Sequence, residues 1–338
     1  GRMAAVAEYF DVDKKLFWQQ IIPSCQPAIL RQAVKHWPSV EAACESDVTL
    51  QQYFAGLDNR KEVNTILAHP DTKGRLTYND TLTGLNFERQ KAPVTAVLNE
   101  LRRIAGNKDA LHIAVQSART DVCLPEFSNQ NVMPLLDTDV VPRIWAGNKI
   151  VVPAHFDDAD NLACVVAGKR RFTLFPPDQV ANLYIGPLDF TPAGAPVSLV
   201  DITAPDMAKF PRFQHALEHA QIAELEPGDV LFIPALWWHH VESLSAVNVL
   251  INYWWGGSLA DNVNKVSPFD SLLHTLMTIK QLPEHQRKYW QAFFGHFVFH
   301  DVADPCSHLP QGCESVQGGL TELRKDKIVD WLGSQIKH

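Results

Sequence analysis

The sequence predicts a mainly β protein with helical additions: a jelly-roll core (a double-stranded β-helix) set between N-terminal helices and a C-terminal helical region. Two observations predict it. From about Ala110 to Trp255 short β-branched and aromatic runs follow one another closely, separated by Gly, Pro and Asp turns, the texture of a sandwich or barrel. On both sides of that stretch apolar residues recur instead at the i, i+3, i+4 spacing of amphipathic helices. Periodicity alone leaves an immunoglobulin-like sandwich as a competitor, and the motifs below separate the two.

The first region, residues 3–109, reads as mostly helical and packed on the core. Pro27-Ala28-Ile29-Leu30-Arg31-Gln32-Ala33-Val34 and Leu50-Gln51-Gln52-Tyr53-Phe54 carry the helical spacing, and Val63 to Ala68 reads as a short strand. Pro93 opens a helix through Val94, Val97, Leu98 and Leu101 to Ile104, stopped at Gly106-Asn107. The core, residues 110–257, has strands at Leu111 to Val115, Arg143 to Ala146, Lys149 to His155, Leu162 to Ala167, Phe172 to Phe175, Val197 to Val200, Ile222 to Leu225, Val230 to Ile233 and Val247 to Trp255. In the last region, residues 258–338, Phe269, Leu272, Leu273, Leu276 and Met277, then Trp290, Phe293 and Phe294, then Leu320 to Ile336 form helical faces. These faces either cover the core or pair with a second copy in a homodimer, and the sequence favours neither.

A chain of 338 residues accommodates one such core with appendages. Its composition, 46% hydrophobic and 20% charged, excludes a disordered chain. The balance of 30 basic against 38 acidic residues, a net charge of −8, gives no global footprint for nucleic acid or an anionic membrane. No apolar run approaches the roughly 18 residues needed to span a bilayer, and no secretory pattern opens the chain, so a cytoplasmic location is expected. Six scattered cysteines without a C-x-x-C suit reduced thiols.

Val151-Val152-Pro153-Ala154-His155-Phe156-Asp157 sets a histidine and an aspartate two residues apart at the end of a strand, on one face. Such a pair is common by chance. A second histidine lies 84 residues on, where a Gly228-Asp229 turn launches a strand run that ends at His239-His240. Closing the jelly roll brings His239 beside His155 and Asp157. Two imidazoles and one carboxylate on one face of an ion leave three positions open, the facial triad of non-haem iron(II) oxygenases. A further set, His296, His300, Cys306, His308 and Cys313, fits no closed zinc spacing. Trp237-Trp238 and Trp254-Trp255 alternate faces, so one of each pair, taken as Trp238 and Trp254, lines the substrate pocket and the other packs outward. Core packing is the alternative role for each.

The ordered motifs are His155-Phe156-Asp157 with Asn161, Gly168-Lys169-Arg170-Arg171-Phe172-Thr173-Leu174-Phe175-Pro176-Pro177, Val200-Asp201, Phe210-Pro211-Arg212-Phe213, Pro227-Gly228-Asp229-Val230-Leu231-Phe232-Ile233-Pro234, Trp237-Trp238-His239-His240 and Asn252-Tyr253-Trp254. Over about Pro142 to Trp255 this series resembles the JmjC, cupin-like (cupin-8) family of Fe(II)- and 2-oxoglutarate-dependent oxygenases, and within it the asparaginyl hydroxylase branch. The resemblance selects His239 over His240 as the ligand. It implies Fe(II) as metal and 2-oxoglutarate as co-substrate, with Arg170 in the place that usually holds a lysine for the far carboxylate, and Lys169 or Arg171 as its substitutes. Asn161 and Asn252 match positions near the co-substrate. Two positions depart from the pattern: Val152 stands where a hydroxyl residue is usual, and the strand at Leu111 to Gln116 has no tyrosine.

The resemblance therefore implies a dioxygenase hydroxylating a protein or peptide side chain, in preference to methyl-lysine demethylation. Val152 and the missing tyrosine keep open a metal-dependent cupin enzyme that does not use 2-oxoglutarate. A catalytically silent interaction module is the third reading, and the complete set of His155, Asp157 and His239 opposes it, because packing requires no ligand set.

Overall fold

Two sheets facing one another carry the strands of a computed structural model that describes residues 3–256 and 267–336. The division between two structural units lies within residues 257–266, so the boundary read at 257/258 falls outside the described residues. Along the first unit the strands are β1 (Ala4–Ala5), β2 (Ala7–Phe10), β3 (Ala28–Arg31), β4 (Val63–Ala68), β5 (Phe87–Ala92), β6 (His112–Arg119), β7 (Arg143–Gly147), β8 (Val151–His155), β9 (Asp160–Ala167), β10 (Arg170–Phe175), β11 (Gln221–Leu225), β12 (Val230–Ile233), β13 (Trp238–Ser243) and β14 (Asn248–Trp255). The smaller sheet has the order β1-β11-β10-β13-β8 and the larger β2-β3-β12-β9-β14-β7-β6-β4-β5. From β7 to β14 the chain passes back and forth between the sheets, with only β10 and β11 consecutive in one sheet, as in a jelly roll.

The N-terminal region, expected to be mostly helical, supplies β1 to β5 to these sheets. The segment at Pro27 to Val34 is the main correction. It forms β3, antiparallel to β12 and parallel to β2. Its apolar run is buried on both faces, with Ile29 in the core between the sheets and Ala28 and Leu30 in the core beneath the helices; for so short a run, spacing does not separate helix from strand. Helices α1 (Lys14–Leu16), α2 (Pro38–Glu45), α3 (Asp47–Leu57) and α4 (Val94–Arg103) also belong to this region. Trp37, Leu50, Phe54, Val97, Leu98 and Leu101 bury their apolar faces against the outer side of the larger sheet. Short helices α5 (Thr120–Cys123), α6 (Phe127–Gln130) and α7 (Phe213–Glu218) fill connections. The run Val197 to Val200, expected as a strand, makes only isolated bridges, His155 to Val197 and Ile185 to Ser198.

The second unit consists of α8 (Pro268–Thr278), α9 (Glu284–Phe297) and α10 (Glu322–Ile336), as the helical spacing predicts. Ser267 and Asp270 form a capping box at the start of α8. Leu272, Leu273, Met277, Trp290, Phe293 and Trp331 are exposed. No helix of the described residues is long and apolar enough to cross a membrane.

One turn ties the N-terminal strands to the jelly roll. Gly228 adopts φ +98°, and a Cβ there would meet Gln32 Oε1 at 3.0 Å and Lys35 Cα at 3.3 Å, which explains the glycine. Next to it Asp229, 2% exposed, accepts from Arg31 Nη1 (2.9 Å), the Gln32 backbone N–H (3.0 Å), Gln32 Nε2 (2.9 Å) and the Glu226 backbone N–H (2.9 Å). Replacing Asp229 with alanine strands these donors and is expected to cost about 2–4 kcal/mol, since a buried donor left unmade forfeits its desolvation. Urea denaturation measures the loss, with Asp229→Asn less affected; an unchanged midpoint would show that the turn holds without this carboxylate.

Candidate metal centre

The pairing of β13 with β8 sets His239 directly opposite His155, and the register shifts immediately beyond, between His239 and Val241. The two imidazole centroids lie 4.2 Å apart. Asp157, two residues past His155, reaches the same spot, with its Oδ2 3.3 Å from His239 Nε2. One ligand atom from each of His155, Asp157 and His239 falls within 4.8 Å of the others, and this is the one such group among the described residues. His296, His300, Cys306, His308 and Cys313 are not brought together.

The tautomers follow from backbone bonds. His155 Nδ1 lies 2.9 Å from the Pro153 carbonyl, and His239 Nδ1 lies 3.0 Å from the Trp237 carbonyl. A carbonyl only accepts, so each Nδ1 carries a proton, and in the neutral ring it is Nε2 that offers its lone pair to an ion. This is the outer-shell bond that orients a metal-ligating imidazole. Burial, reinforced by the neighbouring His239, pushes the His155 pKa down to about 4, leaving it neutral near pH 7. Burial pushes the Asp157 carboxyl up, but the hydrogen bond and charge of His239 outweigh it and hold the pKa below its ordinary value. Two imidazoles whose Nδ1 atoms are tied to carbonyls and an ionised carboxylate, prepared on one face, fit a divalent ion.

A cavity of about 510 Å³ opens between the sheets beside this triad. Strand alternation explains its lining: Arg143 and Trp145 on β7, Asn161 and Ala163 on β9, Arg170 and Phe172 on β10, His239 and Val241 on β13, and Leu250, Asn252 and Trp254 on β14. Arg170 faces inward. Its neighbours face out, Lys169 to Glu226 at 3.4 Å and Arg171 to Glu224 at 3.1 Å and Glu242 at 3.6 Å. Gly168, at φ +77°, makes the turn before Arg170; a Cβ there would lie 2.2 Å from Asn248 Oδ1. Arg170 itself is 6% exposed, forms no ion pair among the described residues, and its Nε lacks a hydrogen-bond partner. Burial lowers its pKa to about 10, so it stays charged near pH 7.

Asn161 and Asn252 both line the cavity. Trp145 Nε1 donates to Asn252 Oδ1 (2.7 Å), and Asn252 Nδ2 donates to Asn161 Oδ1 (3.3 Å). Because an indole only donates, both amide orientations are fixed, and the relay ends on the donor side of Asn161.

Of the two tryptophans expected in the pocket, Trp254 lines it and Trp238 does not. Trp238 precedes the inward-facing His239 on the same strand, so it points to the opposite side, where it packs on Phe156 at 5.1 Å in a buried cluster that also holds Phe175 and Phe213. His240 points away for the same reason and is 1% exposed. Arg89, Arg143, Trp145, Gln116 and Ser117 also line the cavity; strand parity applied to Arg143 and Trp145 would have found two of them.

A jelly roll that gathers two histidines and an aspartate at the edge of a cavity between its sheets has the architecture of a cupin with a candidate metal centre. Residues 14–261 match the cupin-like domain family, and the chain belongs to it. It is similar to HSPB1-associated protein 1 of Rattus norvegicus, 39% identical over 252 residues, 68% of this chain and 48% of that protein. The chain therefore spans about half the length of this relative. It is also similar to tRNA wybutosine-synthesizing protein 5 of Danio rerio, 32% identical over 148 residues, 40% of this chain and 42% of that protein. A third relative is the bifunctional peptidase and (3S)-lysyl hydroxylase JMJD7 of Homo sapiens, 25% identical over 274 residues, 71% of this chain and 80% of that protein.

Replacing His239 with alanine is expected to abolish loading of one divalent ion per chain, and His240→Ala to spare it. Metal content by mass spectrometry after dialysis against iron(II) checks this, and equal loss in both variants would remove His239 from the ligand set.

Proposed function

We propose that this chain is an Fe(II)- and 2-oxoglutarate-dependent oxygenase that hydroxylates a protein or peptide side chain. The observation that carries the reading is Arg170: a buried, charged, unpaired guanidinium in the cavity that holds the triad. A buried cation is costly without an anion, and a guanidinium fork matches a carboxylate. His155, Asp157 and His239 would hold the iron and leave the positions a chelating 2-oxo acid needs. Arg170 would hold the far carboxylate of 2-oxoglutarate, and the Asn161 end of the Trp145-Asn252-Asn161 relay would donate to an acceptor beside it. The bound metal and co-substrate supply the oxidising chemistry. The chain's own part is to position the reacting C–H bond and keep water out, which the apolar walls Val152, Phe172, Val241 and Leu250 support. That one relative is named a lysyl hydroxylase agrees with this reading.

The second reading, a metal cupin that does not use 2-oxoglutarate, rests on Val152, which lines the cavity, and on the lack of any tyrosine among the lining residues.

Anaerobic titration of the metal-free protein with iron(II) and then 2-oxoglutarate separates the two. A saturable visible charge-transfer band is expected; iron binding without the band would favour the second reading. Arg170→Ala is expected to weaken 2-oxoglutarate roughly 10- to 150-fold, the worth of a hydrogen bond to a charged group, with little change in metal affinity. An unchanged co-substrate affinity would remove Arg170 from this role.

A further inference from the structure

The cavity is lined by three arginines and a single carboxylate, Asp157, in a chain whose net charge is −8. The arginines are graded in depth. Arg170 is buried, Arg143 on β7 is half-buried, and Arg89 on β5 is exposed. Elsewhere Arg31, Arg103, Arg119, Arg171 and Arg324 each have a carboxylate within ion-pair distance, while among the described residues Arg60, Arg75, Arg102, Arg212 and Arg287 do not. The three lining the cavity form no ion pair among the described residues, and they are the ones gathered in one cavity.

Arg143 donates to the Ser117 carbonyl (3.1 Å) and Ser117 Oγ (3.3 Å), and its guanidinium stands 5.5 Å over the Trp254 ring. Arg89 donates to the Pro192 carbonyl (2.6 Å). All these acceptors are neutral. They orient the two guanidinium groups without discharging them, and Asp121, whose charge reaches Arg143, is held bidentately by Arg119 at 3.0 and 2.8 Å. With Arg170 and the triad assigned to co-substrate and metal, Arg143 and Arg89 are the cations left for the substrate.

We propose that the primary substrate is an acidic peptide, whose Asp or Glu side chain is read by Arg143, with Arg89 at the mouth, while a neighbouring residue faces the triad. This deepens the oxygenase reading and rests on it. A peptide fits better than a nucleic acid. Two oriented cations match one or two carboxylates, whereas a phosphate backbone calls for an extended basic track, which a net charge of −8 opposes. Asn64 and Gln116, also in the lining, offer the paired donor and acceptor that a peptide backbone uses.

The test is retention of a degenerate peptide library by the immobilised protein loaded with manganese(II) and 2-oxoglutarate, without turnover, followed by sequencing of the bound pool. Enrichment of Asp and Glu by about fivefold at a fixed position is expected, the scale of one partly exposed ion pair, with loss in Arg143→Gln, weakening in Arg89→Gln and retention in Arg143→Lys. Each variant's melting temperature checks its fold, and loss of enrichment on raising the salt concentration gives a readout on the unaltered protein. A pool with no acidic preference overturns the proposal. So does an acidic preference lost in Arg170→Gln but kept in Arg143→Gln, or a single-stranded RNA that displaces the acidic pool. Acidic enrichment without a charge-transfer band removes the oxygenase reading alone, and the band without enrichment removes this inference alone.

Discussion

The antiparallel pairing of β8 with β13, which sets His155 against His239, is the constraint on which the site depends. It does more than bring two imidazoles together. Each ring donates through Nδ1 to the carbonyl two residues before it, so both Nε2 atoms are turned toward Asp157 by the same local device on two strands. The register then shifts beyond His239, which lets the strand continue in pairing while the metal-facing side chain keeps its place. Parity sends Trp238 and His240 to the other side, where the first joins an aromatic cluster and the second is held neutral by burial, its pKa pushed down to about 4.

Charge in the cavity is arranged by the same alternation. Along β10 the outward residues on either side of Arg170 are tied to glutamates, so the hairpin has a basic outer surface that is neutralised and a basic inner group that is not. A one-residue slip would bury Lys169 or Arg171 and expose Arg170. The outward ion pairs are exposed and individually weak; their value lies in opposing that slip. The cavity thus concentrates unpaired positive charge inside a protein whose surface is on balance acidic.

Much of this was legible in the sequence. The central strands and the shared face of His155 and Asp157 follow from alternation and from turns whose glycines punctuate the chain, whereas the choice of His239 over His240 and of Arg170 over its neighbours rests on the family resemblance. Among the N-terminal strands β4 was legible at Val63 to Ala68, but β3 was not, because Ala28-Ile29-Leu30 is apolar on both faces and its pairing partner Val230-Leu231-Phe232 lies far along the chain. Val197 to Val200 has strand composition, but its neighbours supply only isolated bridges. Trp238 was misplaced by treating the tryptophan pair apart from His239, although adjacent residues on one strand cannot share a face. Arg89 carried no local signal, since its place in the lining depends on β5 forming the end of the larger sheet.

The tie between Asp229 and the segment Arg31-Gln32 spans 197 residues, and β1 pairs with β11 over a comparable distance. Folding during synthesis must therefore wait. At a translation rate of about 5–20 residues per second, some ~10–40 s separate the emergence of β3 from that of its partner β12. Through that interval the apolar Ala28-Ile29-Leu30 run and its unpaired backbone are open to any other strand. The nascent chain is thus most prone to aggregate before β12 appears, and the cell's capacity to shield it during those seconds sets how much finished protein accumulates.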